Sequence, residues 1–281
     1  NAVSGATAKQ GAAYPACAAQ PLFWLDCSER TGWEVDGSST VAKIPSKAGS
    51  KLAGTRWLTT NHDESDWKGW SSGGTIANKP ILRQNVTDLM NGTGSYLLVP
   101  SYNAHCNGTH FTASGFFKLT SDRWPGSTGA VYPRLFSRGA ADWNTSDWVV
   151  NLSNAPGSYS LRGTGVELTT VSGGPLLTNT WAHFTEVYDD TLASLYVDGT
   201  LLGAGTVTAP GDFLQPLAVG CRNDGKDYSF GGLIDEVRLA PGSATPNRVK
   251  AEYDTMAENA SFTAYGAAEP SSGEGLVMDR L

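Results

Sequence analysis

Positive charge is scarce in this sequence. Its 20 Lys and Arg stand against 27 Asp and Glu, for a formal net charge of −7 and a pI near 5.1. A nucleic-acid backbone or an anionic membrane surface would be repelled, so neither is expected as a partner. Long apolar runs are missing as well. None approaches the roughly 18 residues of a spanning helix, which argues against membrane insertion. The four cysteines, Cys17, Cys27, Cys106 and Cys221, include no Cys-x-x-Cys pair, which removes the commonest structural-zinc and dithiol signatures. His105-Cys106 with His110 has no recognised zinc spacing and no second pair. No fixed-period repeat is present. Helical periodicity is nearly absent; Arg248–Met256 is the one short amphipathic candidate.

What the chain does contain is turn formers, short strands and tryptophan. Its 33 Gly and 14 Pro are scattered rather than clustered and point to many turns. A length of 281 residues suits one large sandwich with elaborated loops, with ample chain to bury a core. Strand candidates recur at close spacing: Pro21–Asp26, Thr40–Ile44, Ser95–Val99, His110–Leu119, Arg134–Ser137, Asp147–Leu152, Trp181–Tyr188, Ala193–Val197 and Leu233–Leu239. Trp33–Gly37 and Thr40–Ile44 read as a hairpin around Asp36-Gly37, and Asp198-Gly199 supplies a second tight turn. Residues 45–80 read as a long loop region. The expected fold is therefore all-β, an antiparallel two-sheet sandwich with at most one or two short helices. Residues 1–20 are expected to form an arm or linker, 21–266 the sandwich, and 267–281 a linker or tail. An even cysteine count in an acidic chain rich in Gly, Ser, Thr and Trp suits an exported, extracellular or cell-surface protein. Up to two disulfides would be allowed, with three connectivities open; buried free thiols are the alternative.

One stretch carries a resemblance. Trp181-Ala-His-Phe, Leu195-Tyr-Val-Asp-Gly199, Val219-Gly220 and Phe230-Gly-Gly-Leu-Ile-Asp-Glu-Val-Arg-Leu239 follow one another in the order and spacing of a family signature. They resemble the laminin-G-like jelly roll of the concanavalin A-like lectin/glucanase superfamily, in its bacterial extracellular form. Phe111–Leu119 is similar to that family's Phe-Thr-hydrophobic-Ser-x-Trp strand, with Phe116 where Trp is usual. The resemblance implies a jelly roll, and one fold of this kind hosts lectins, hydrolases and structural modules.

Glucanases of the superfamily carry two carboxylates on one face of a strand, flanking the scissile bond. In this sequence Leu233 and Val237 occupy the positions where partner carboxylates would be needed, and simple alternation sends Asp235 and Glu236 to opposite faces. No catalytic residue is therefore assigned. A hydrolase built on scattered carboxylates (Asp63, Glu64, Asp66, Asp189, Asp190, Asp224, Asp227) is the less favoured enzymatic reading. Alternation also groups Asp235 with Leu233, Val237 and Leu239 on an apolar stripe. A buried carboxylate needs a charged partner, backbone amides or a cation; the resemblance implies a structural Ca²⁺, and a backbone cap is the other reading. His183 reads as a satisfied strand residue, and Trp24 and Trp181 as core.

Aromatic faces beside polar groups suit sugar stacking with directed hydrogen bonds. On that basis Trp57, His62, Asp66, Trp67, Trp70, Arg138, Trp143 and Asn144 are the candidate glycan-binding residues. The expected function is a non-catalytic carbohydrate-binding or adhesion module, joined to other domains of a larger parent protein. A structural or protein-interaction jelly roll without a sugar site is the alternative.

Overall fold

The computed structural model describes residues 23–25, 34–36, 40–46, 57–63, 67–68, 81–84, 97–99, 110–119, 133–139, 146–152, 157–163, 168–174, 180–206, 217–222, 228 and 230–257. These form two antiparallel sheets and one helix. Sheet A, eight-stranded, runs in the order β15 (Thr200–Thr206), β14 (Leu192–Val197), β13 (Ala182–Asp189), β8 (His110–Leu119), β17 (Gly232–Pro241), β6 (Ile81–Gln84), β5 (Trp67–Lys68). A short β1 (Phe23–Leu25) pairs with the far end of β17. Sheet B, nine-stranded, runs β12 (Leu168–Val171), β11 (Tyr159–Gly163), β10 (Ser146–Leu152), β9 (Arg134–Gly139), β16 (Leu217–Val219), β7 (Leu97–Val99), β4 (Trp57–Asp63), β3 (Thr40–Pro45), β2 (Glu34–Val35). The expected all-β sandwich is what forms. Helix α1, Pro246–Ala257, lies where the periodicity placed it.

The core sits between the sheets. Phe117 of β8 meets Phe136 of β9 edge-on, ring centroids 5.4 Å apart, and Phe184 and Phe230 at 6.0 and 5.6 Å. Edge-to-face pairs of this kind add about 0.5–1.5 kcal/mol each beyond the apolar area they bury. Strand β13 shows how alternation is used twice. Ala182, Phe184 and Tyr188 join the core, while Trp181, His183 and Val187 face the other way and are still buried. Helix α1 covers that outer side. Its Tyr253 and Met256 pack on Phe116 and Trp181, and its Val249 packs with Val187 and Tyr196. Trp181 thus belongs to this satellite layer and not to the main core. Trp24 is half-buried and likewise lies outside the main cluster.

The hairpins form where the turn residues placed them. β2 pairs with β3, Val35 opposite Val41, and Gly37 lies outside the described residues. β14 turns into β15 through Asp198 and Gly199, at φ of 49° and 74°, the positive pair that a two-residue hairpin of matching twist demands.

Two expectations need correction. The 45–80 region is not one loop: β4 pairs with β3 and β7 in sheet B, and β5 pairs with β6 at the edge of sheet A. The alternation assumed for β17 also breaks. Asp235 pairs with Phe116 and Arg238 with Ser114, so Glu236 and Val237 together stand opposite Gly115. Glu236 has φ 53°, and the extra residue is a β-bulge. Gly115 makes room for it, since a Cβ there would stand 3.2 Å from the Val237 side chain. The bulge shifts the phase. Asp235 stays with outer-face Leu233, but Val237 and Leu239 enter the core.

Candidate functional site

The bulge gathers charge on the outer side of sheet A, beneath α1. Asp235 and Glu236 are both 0% exposed, and both engage groups on this side instead of pointing opposite ways. The Asp235 Oδ1 accepts the Glu236 backbone N–H at 2.8 Å, so the backbone-cap reading has a direct counterpart. The Glu236 Oε2 accepts from Trp24 Nε1 at 2.7 Å and from the Arg238 guanidinium at 3.0 Å. That guanidinium lies over the Trp24 ring, 4.5 Å from its centroid. Glu252 reaches down from α1, accepting from Ser114 Oγ at 2.8 Å, with Arg238 at 3.7 Å. Every one of these carboxylates is sealed from solvent and held by a neighbour, and Glu252 is the one that ties the helix to the sheet, through Ser114 and Arg238.

His183 shares this layer. Its ring packs against Phe116 at 4.7 Å and Tyr253 at 5.9 Å. Neither ring nitrogen has a hydrogen-bond partner among the described residues, nor does Thr185 Oγ1 two positions on. The backbone of His183, by contrast, is tied to the turn: its N–H donates to Asp198 Oδ1 at 2.9 Å, and its carbonyl accepts the Asp198 N–H at 2.9 Å. Burial, and then the Arg238 charge, push the imidazole pKa down from 6.5 to about 3. It is a neutral, packed side chain whose ring nitrogens are buried without a partner among the described residues, so the satisfied residue expected from sequence holds for its backbone only. Asp198, partly buried, has its pKa raised by desolvation against the lowering effect of the His183 N–H.

A second polar group lies at the open end of sheet A. His110 Nδ1 is 2.7 Å from Asp189 Oδ1 and 3.2 Å from Ser243 Oγ, and that hydroxyl also lies within hydrogen-bond distance of Asp189 and the Tyr188 carbonyl. The trio has the composition of a hydrolytic triad and the wrong wiring. Acid and hydroxyl converge on the same ring nitrogen, whereas proton transfer needs them on opposite ones.

A third group belongs to sheet B, and sequence reading missed it. Between Val150↔Phe136 and Asn151↔Arg134 the register slips by one residue, so β9 bulges at Leu135. Phe136 stays in the core, and the Arg134 side chain, 1% exposed, donates to the buried Ser137 Oγ at 2.7 Å. Tyr228 covers it. The Arg134 guanidinium carbon is 5.0 Å from the Tyr228 ring centroid, and that of Arg222 is 5.9 Å from the same centroid. The Arg134 N–H donates to the Tyr228 carbonyl at 3.0 Å, and Phe230 N–H to Gly220 O at 2.7 Å, so the segment is pinned at both ends. Tyr228 itself has φ 53°. Neither a bulge nor a positive φ at Tyr has a single-residue signature, so no pattern in the sequence marks this site.

The residues proposed from sequence are placed as follows. Arg138 is 1% exposed, its guanidinium carbon 6.0 Å from the core Phe111 ring centroid. Strand alternation points it inward with Phe136, so it leaves the set a solvent-borne sugar could touch. Trp57 and His62 lie in β4 of sheet B and Trp67 in β5 of sheet A, so these three do not share one loop; their side chains fall outside the described residues. Asp66, Trp70, Trp143 and Asn144 lie outside the described residues, as do Cys17, Cys27 and Cys106. Cys221 is buried, its Sγ 3.9 Å from the Leu97 carbonyl. Residues 1–20 and 267–281 are also outside the description. Among the described residues no group of three or more His, Cys, Asp or Glu could hold a metal ion. No helix among the described residues is long and apolar enough to cross a membrane.

Comparison with curated proteins gives no match. Among solved structures, the binding domains of botulinum neurotoxin serotypes D and D/C (VPI 5993) are similar at 9% identity. They cover 84% of this chain, with TM-scores of 0.51 and 0.52. The chain spans about half the length of those domains, 51% and 52%. Domain 4 of AbnA, a GH43 extracellular arabinanase from Geobacillus stearothermophilus solved with arabinotriose, is 20% identical. It covers 70% of this chain and 87% of its own length, with a TM-score of 0.45. A laminin-G-type family model matches residues 91–250, more than half of the 281. On that match and on the two-sheet sandwich described above, this chain belongs to the concanavalin A-like lectin/glucanases superfamily.

Proposed function

We propose that this chain is a non-catalytic glycan-binding or adhesion module of an exported protein, working alongside other domains of that protein. The superfamily includes both lectins and glucanases, so the choice turns on where the acids lie. The observation that carries the reading is the fate of the β17 carboxylates. Asp235 and Glu236 are 0% exposed; Glu236 is held by Trp24 and Arg238, and Asp235 caps the Glu236 amide. A glycosidase needs two carboxylates reaching opposite sides of one bond, about 5 Å apart for retention or roughly 6.5–9.5 Å for inversion. Acids sealed from solvent in this way cannot do that. Sugar recognition is assigned to the tryptophan segments around Trp67 and Trp143.

A glycan array and a reducing-sugar assay on one preparation test this. Binding without turnover is expected. Turnover would overturn the reading, and silence in both would favour a protein-interaction module. If Trp67→Ala and Trp143→Ala both left a measured glycan affinity unchanged, the placement of the site would be wrong even with the function right.

A further inference from the structure

We infer that His110, Asp189 and Ser243 form a binding site for a divalent first-row transition-metal ion on the outer rim of sheet A. The trio is reachable and pre-assembled. The side chains of His110 and Asp189 are 54% and 58% exposed, and Ser243 is half-buried. His110 and Asp189 stand directly opposite each other, the last pair of the β8–β13 ladder, so their side chains share one face. The loop between β17 and α1 brings the third donor. Gly242, at φ 79°, gives its N–H to the His110 carbonyl at 3.0 Å. Thr112 Oγ1 donates to the Gly242 carbonyl at 2.9 Å and accepts the Ala244 N–H at 2.9 Å. Ser243 is therefore set by backbone bonds on either side of it before any ligand arrives.

Two of the donors are of the usual ligating kinds, and the third is a hydroxyl. His110 Nδ1, Asp189 Oδ1 and Ser243 Oγ make a triangle with sides of 2.7, 3.0 and 3.2 Å. Adjacent donors around an octahedral ion with bonds of about 2.1 Å stand about 3.0 Å apart, and tetrahedral ones about 3.4 Å. The triangle has the dimensions of one octahedral face. Proton counting agrees. Ser243 Oγ also lies 2.9 Å from the Tyr188 carbonyl. The four short contacts thus share at most two protons, one on Nδ1 and one on the hydroxyl. With an ion bound, the hydroxyl proton goes to Tyr188 and three lone pairs face the metal. Donor chemistry sets the ion class. Calcium takes oxygen ligands and magnesium keeps much of its water, whereas an imidazole nitrogen suits ions such as Ni²⁺ and Zn²⁺. Three positions on the ion stay open to water. Held on an exposed rim, the ion is exchangeable, and the fold does not depend on it.

The test is calorimetric titration of the untagged full chain, first dialysed against a chelator, with Ni²⁺, Mn²⁺ and Ca²⁺ in turn. Saturable one-to-one binding of Ni²⁺ is expected, tighter than that of Mn²⁺, with Ca²⁺ unable to compete. His110→Asn keeps an N–H for Asp189 and removes the imidazole. It should weaken Ni²⁺ binding by about a hundredfold, and Asp189→Asn by about tenfold or more. Metal-free melting temperatures of both variants should stay within about 2 °C of wild type, because an exposed ion pair contributes little. No saturable Ni²⁺ binding, or binding that survives His110→Asn, would overturn the inference. So would binding lost with His110→Asn but untouched by Asp189→Asn, which marks a lone surface imidazole. Displacement of Ni²⁺ by Ca²⁺ would overturn the ion class and the inference with it.

Discussion

Replacing His183 with Leu should flatten the acid side of the stability profile. The imidazole is fully buried, and its pKa falls from 6.5 to about 3 through burial and the Arg238 charge. The folded-state value lies below the unfolded one. As pH falls through 6.5 the unfolded chain takes up a proton that the folded chain refuses, and unfolding gains. The stabilisation is therefore complete above pH 6.5 and is lost progressively toward pH 3. One pKa unit corresponds to about 1.4 kcal/mol, so the whole shift amounts to about 5 kcal/mol, of which about 3 is already gone at pH 4. Asp198 works the other way, because its pKa is raised. Its partner is the His183 backbone N–H, which the substitution keeps, so its share cancels between the two proteins. At pH 7.5 the cost should stay within about 1 kcal/mol, since the ring nitrogens have no partner to lose and Leu is of similar bulk. The assay is urea unfolding of wild type and His183→Leu at pH 7.5, 6, 5 and 4. The stability difference should move by about 3 kcal/mol in favour of the variant from the highest pH to the lowest. If the two profiles ran parallel within about 0.5 kcal/mol, the neutral buried imidazole would be refuted.

Other perturbations probe the same layer. Glu252→Ala removes the acceptor of Ser114 and a neighbour of Arg238. It should cost about 3 kcal/mol in urea unfolding, with hydrogen-exchange protection lost across α1 before the sheets. Gly199→Ala places a Cβ at φ 74°, 2.9 Å from Lys250 Cδ and 3.2 Å from Tyr253; a loss of about 1–2 kcal/mol is expected from thermal melts. A chelator should leave the melting temperature unchanged. A drop of several degrees that calcium restores would return a cation to the argument.

The strands were legible because alternation and turn chemistry are local. Asp36-Gly37 and Asp198-Gly199 announce hairpins, and Trp181–Tyr188 announces a strand, without reference to the rest of the chain. The bulges were not legible. Glu236 takes a positive φ without being Gly or Asn, because Gly115 on the neighbouring strand leaves space for the extra residue. That accommodation is a cross-strand fact, and the assignment of Val237 and Leu239 to the face of Asp235 failed on it. β4 and β5 were hidden for a related reason: each strand's pairing partner lies far along the chain or in a stretch with weak alternation of its own. Arg138 illustrates a limit of composition. Arg beside Trp and Asn in sequence suggests a sugar site, while the register of β9 turns it into the interior.

The position of α1 has a consequence for where this protein can be cut. The family match stops at residue 250, inside Pro246–Ala257. A fragment ended there would lack Glu252, Tyr253 and Met256, the residues that roof over Phe116 and Trp181. The described strands would all be present, but with a greasy patch and a stranded arginine open to water. Among the described residues the last turns of a single helix, and not the final strand, close this layer.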